Sequence, residues 1–62
     1  MPDVDKIFEM LLPEELAHVE EGRPAGFAWS FAKRSGLPIS AATIASLNEV
    51  YGELRRRLGY TE

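Results

Sequence analysis

Residues 40–59 read SAATIASLNEVYGELRRRLG, and the fold is decided by how this stretch is read. Ser40 is a good N-cap, Gly59 a good stop, and no proline interrupts the residues between them. Ile44, Leu47, Tyr51, Leu54 and Leu58 recur at spacings of 3, 4, 3 and 4, the rhythm of one helical face. The spacing predicts a long C-terminal helix from about Ser40 to Leu58. A second stripe, Ala41, Ala45 and Gly52, lies roughly 120° around the same helix. Glycine in mid-helix costs about 1 kcal/mol relative to alanine, so a close helix approach at Ala45 and Gly52 is the expected compensation. Asn48 and Arg55 fall between the stripes, seven residues apart on one face. Glu49, Glu53, Arg56 and Arg57 take the solvated side, where Glu53 and Arg57 form an i, i+4 pair. The reading is therefore a helix that buries two sides, one against its own domain and one against the third helix or a second chain.

Upstream, punctuation divides the chain into three shorter helices. Asp3 caps a first helix over Asp3–Leu12, whose inward face is Val4, Ile7, Phe8 and Leu11. Pro13 breaks it and opens a second helix. Glu14 and Glu15 suit its N-terminal dipole, Leu16 and Val19 point inward, and Gly22 ends it. After a loop over Arg23–Gly26, a third helix runs to Ser35 with Phe27 and Phe31 on one face and Trp29 pointing away. Lys33 and Arg34 lie in its last turn, and Gly36 terminates it. Leu37-Pro38-Ile39 is an extended link. No stretch alternates apolar and polar residues long enough to make a strand. The fold class is all-α, a single domain over residues 1–62 made of three short helices and one long one.

Sixty-two residues bury only roughly 60% of the surface that the unfolded chain exposes, so association is a natural supplement to the core. There is no cysteine and one histidine, His18, which removes disulfides, iron–sulfur clusters and thiolate zinc sites. Glu14 and His18, one turn apart, lack a third metal ligand nearby. No nucleophile–base pair and no glycine-rich phosphate loop is present, so neither an enzyme nor a cofactor is expected. No apolar run reaches membrane-spanning length, and the acidic start MPDVDK is unlike a signal peptide. A cytoplasmic chain with no membrane partner follows as the expectation.

Net charge is −3, unevenly spread. Residues 1–22 carry a balance of −6, residues 23–58 a balance of +4, and Glu62 the last negative charge. Either the two halves fold together and neutralise one another, or the basic half faces an anionic partner.

Two functional expectations follow. The first is a non-catalytic helical protein–protein interaction module, a homo-oligomer or a small accessory or regulatory subunit of a larger protein. Its interface would draw on Trp29, Asn48, Tyr51, Leu54, Arg55 and Tyr60. The alternative is a small DNA-binding regulator using residues 27–47. Within them FAKRSGLPISAATIASL (31–47) resembles the general helix-turn-helix pattern, with Ala32 and Gly36 at the small-residue and turn-glycine spacing. That resemblance implies DNA contacts from Lys33, Arg34, Ser40, Ala41 and Thr43. The turn is longer than the pattern by roughly two residues and contains Pro38, and the would-be recognition helix opens on small uncharged side chains.

Overall fold

A computed structural model describes residues 3–60 and places them in four helices, with no strand among the described residues. They are α1 (Val4–Met10), α2 (Pro13–Glu20), α3 (Pro24–Ser35) and α4 (Ala41–Arg57). The fold is all-α, as the periodicity requires.

Local chemistry sets the boundaries. The Asp3 carboxylate accepts from the Lys6 amide at 3.2 Å, and the Ser40 hydroxyl accepts from the Thr43 amide at 3.3 Å. Pro13 opens α2, and Glu15, two residues on, accepts from the Leu12 amide at 3.0 Å. This is half of a capping box, because the leucine side chain has nothing to offer in return. Gly22 and Gly36 end α2 and α3 at φ of 76° and 71°. In each case the next residue closes a six-residue loop, Arg23 N–H to His18 O and Leu37 N–H to Ala32 O, both at 2.9 Å. Only glycine adopts that left-handed turn without strain, which is why both helices stop where they do.

The core gathers Val4, Val19, Phe27, Ala28, Phe31, Ala32, Leu47, Val50, Tyr51 and Leu54, with Ile7, Phe8, Leu11, Ile44 and Leu58 packed around it. The leucine stripe of α4 points inward as the 3-4 spacing predicts. Val50, between Leu47 and Leu54 on the wheel, widens it. Phe27 stacks obliquely on Phe31 and on Tyr51, with ring centroids 5.7 and 6.2 Å apart. The Cα radius of gyration is 10.5 Å, matching the ~10.6 Å of a well-packed chain of this length.

Helix α4 touches all three other helices, but the two most extensive contacts belong to α3, with α4 and α2. The reason lies in its composition: Phe27 and Phe31 fill the centre, and Ala28 and Ala32 let neighbouring backbones approach. In contrast, no other helix covers the small-residue stripe of α4 among the described residues. Ala41 and Ala45 are exposed, and a Cβ at Gly52 would meet only its own helix's Arg56 guanidinium at 3.8 Å. Among the described residues no other helix makes the close approach expected at Ala45 and Gly52, because α3 packs on the leucine stripe instead.

The acidic and basic halves do fold onto one another. Arg34 of α3 pairs with Glu15 of α2, Arg57 of α4 with Asp5 of α1, and Arg55 reaches the C-terminal carbonyls of α2. The expected Glu53–Arg57 pair is replaced by Glu53–Arg56, because Arg57 turns to Asp5.

Candidate interaction surface

Three polar clusters hold the helices in register. The first centres on Glu15, 1% exposed. Arg34 Nε donates to Glu15 Oε2 at 2.5 Å, and Arg34 Nη2 donates to Glu15 Oε1 at 3.0 Å and to the Met10 carbonyl at 2.7 Å. One carboxylate thus caps α2 and anchors α3, while its arginine holds the end of α1. Hydrogen bonding to Glu15, opposed by partial desolvation and supplemented by charge attraction, raises the Arg34 pKa above its ordinary value.

The second cluster closes the α2–α3 turn. His18 Nδ1 accepts from Arg23 Nε at 3.0 Å, and Arg23 Nη1 bonds Glu21 at 2.5 Å. The imidazole lies so close to Gly26 that a Cβ there would come within 2.5 Å of Nδ1. His18 is thereby a turn-closing group, and among the described residues no cluster of three or more His, Cys, Asp or Glu could hold a metal ion. In the third cluster, Arg55 Nη1 donates to the Val19 carbonyl at 2.6 Å, neutralising the C-terminal end of α2. The Arg55 guanidinium lies 4.4 Å from the Tyr60 ring centroid and 5.9 Å from that of Tyr51.

These contacts redistribute the six residues expected at a partner surface. Tyr51 and Leu54 lie in the chain's own core, 8% and 0% exposed. Arg55 is half-buried over α2, and Tyr60 folds onto it. Asn48 is exposed on the outer side of α4. Trp29 stands apart from the other five: its side of α3 is turned away from Phe27 and Phe31, and it is 55% exposed. It lines an open recess with Glu14, Ser30, Lys33 and Arg34.

The five residues of the helix-turn-helix expectation are also dispersed. Arg34 has its Nε and Nη2 donors committed to Glu15 and Met10. Ser40 and Thr43 bond each other at the start of α4, Ala41 is exposed beside them, and Lys33 extends into the Trp29 recess.

A second recess forms where α1, the end of α3 and α4 meet. It is lined by Ile7, Phe31, Leu37, Thr43, Ser46, Leu47 and Val50, so its walls are mostly apolar. Neither recess was apparent from the sequence. The i, i+4 relation of Trp29 and Lys33 is a local signal for one side of the first. The approach of Glu14 from α2 depends on the packing of α2 on α3.

Comparison with protein-family models, with curated proteins and with solved structures returns no match. No helix among the described residues is long and apolar enough to cross a membrane.

Proposed function

We propose that the chain is a non-catalytic helical interaction module that docks through the face centred on Trp29. The observation that carries this reading is the exposure of the chain's only tryptophan, 55%, at the mouth of an open recess. Phe27, Phe31 and Tyr51 are buried, and Tyr60, less exposed than Trp29, is placed against Arg55, so Trp29 is the most exposed aromatic among the described residues. An indole buries about 200 Å² when covered, so enclosing its exposed half contributes about 2–3 kcal/mol. That is the magnitude of an interface hot spot.

The test is retention of binding proteins by immobilised wild-type chain, Trp29→Ala and an Asn48→Ala control. The reading predicts that binding is lost with Trp29→Ala and kept with Asn48→Ala. Binding that survives Trp29→Ala, with an unchanged solution mass, would contradict it.

A further inference from the structure

We infer that the Trp29 face pairs with the same face of a second copy of the chain, about a two-fold axis. This rests on the interaction reading above and names the partner. The argument is charge complementarity. Glu14 of α2 and Lys33 of α3 line the Trp29 recess, and among the described residues neither has an ion-pair partner. Arg34, the other charge there, is already balanced by Glu15. The face therefore presents one free negative and one free positive charge beside an exposed indole. An acidic partner would match only Lys33, and a basic partner only Glu14.

A second copy matches both. A two-fold axis passing between Glu14 and Lys33 sets each against its opposite on the other chain, forming the pair twice. Trp29 lines the same opening, so the two indoles meet near the axis. A standard interface covers ~800 Å² per partner, about a fifth of the 3964 Å² this chain exposes. A patch of this size covers less, so the dimer is weak and concentration-dependent.

Sedimentation equilibrium across a wide concentration range tests the inference. Wild type should move from monomer toward dimer as concentration rises. Glu14→Lys and Lys33→Glu should each weaken association by about fivefold to tenfold, since each reversal acts twice per dimer. The double reversal should restore it to within about twofold. Glu14→Gln and Lys33→Met, milder changes, should give smaller losses in the same order and cover any folding defect in the reversals. Trp29→Ala should weaken association by more than about thirtyfold. A monomer at every concentration, or a dimer indifferent to these changes, overturns the second-copy inference. If that monomer still bound another protein through Trp29, the interaction reading would stand and only the partner named here would be wrong.

Discussion

Replacing Gly52 with alanine should make this protein more stable. Gly52 sits in the middle of the 17-residue helix α4, where glycine is about 0.8–1 kcal/mol worse than alanine. A methyl group built at this position meets only the Arg56 guanidinium, at 3.8 and 3.9 Å, which is ordinary contact with a flexible side chain. Steric cost is therefore negligible, and the helix gains both from lower unfolded-state entropy and from shielding of its backbone. A 62-residue chain has a total stability of about 3–9 kcal/mol. One kcal/mol corresponds to a rise of about 8 °C in Tm at the usual unfolding entropy per residue. Thermal unfolding followed by far-UV circular dichroism at low concentration reads this directly. A lowered Tm would mean that a neighbouring backbone packs on Gly52, and the account of α4 as a helix with one open side would be wrong. If the Tm rises as expected but association weakens in parallel, the open side of α4, and not the Trp29 face, is where chains meet.

Other substitutions probe the remaining supports. Gly26→Ala should have the opposite sign to Gly52→Ala. Its Cβ would fall 2.5 Å from His18 Nδ1, displacing the ring and breaking its bond to Arg23. A loss of about 1–2 kcal/mol is expected, and denaturation in a His18→Ala background should show a much smaller one. Leu54→Ala, at a position with no exposure, should cost about 3 kcal/mol in urea unfolding, a third or more of the total. Arg34→Met should lower the urea midpoint further than Lys33→Met, because it strands a carboxylate that is 1% exposed. Glu15 raises the Arg34 pKa, so the contribution of that arginine is complete at every pH below its unfolded value. It is lost only as pH climbs through the raised folded value, far into the alkaline range. A urea midpoint that fell between pH 7 and pH 9 for wild type but not for Arg34→Met would contradict this.

The helices were legible in the sequence because each is signalled within a few residues. Asp3, Pro13, Gly22, Gly36 and Ser40 are boundary chemistry, and the 3-4 spacing of Ile44 to Leu58 identifies the buried face without reference to the rest of the chain. The arrangement of the helices was less legible. Which helix is central depends on who packs against whom, and Ala28 and Ala32 look unremarkable until α2 and α4 close on them. Gly52 suggested a close approach on helix-propensity grounds alone, yet the helix that might have approached, α3, found a better surface on Leu47, Tyr51 and Leu54. The same competition removed Tyr51 and Leu54 from the surface. From the sequence alone Glu15 is a dipole partner in a first turn. Its pairing with Arg34, 19 residues away, leaves no periodic trace. Trp29 was legible as outward-facing from its offset to Phe27 and Phe31. The unpaired charges beside it were not, because Glu14 arrives from another helix.

Trp29 is the chain's only tryptophan, so its fluorescence reports on the docking face without a label. Emission and acrylamide quenching, measured from high dilution upward together with solution mass, test the central claim most directly. The account predicts a water-exposed, readily quenched indole in the monomer, whose emission shifts to shorter wavelength and whose quenching falls in step with association. An indole already shielded at high dilution, or one that stays fully quenchable after the mass has risen, would contradict it.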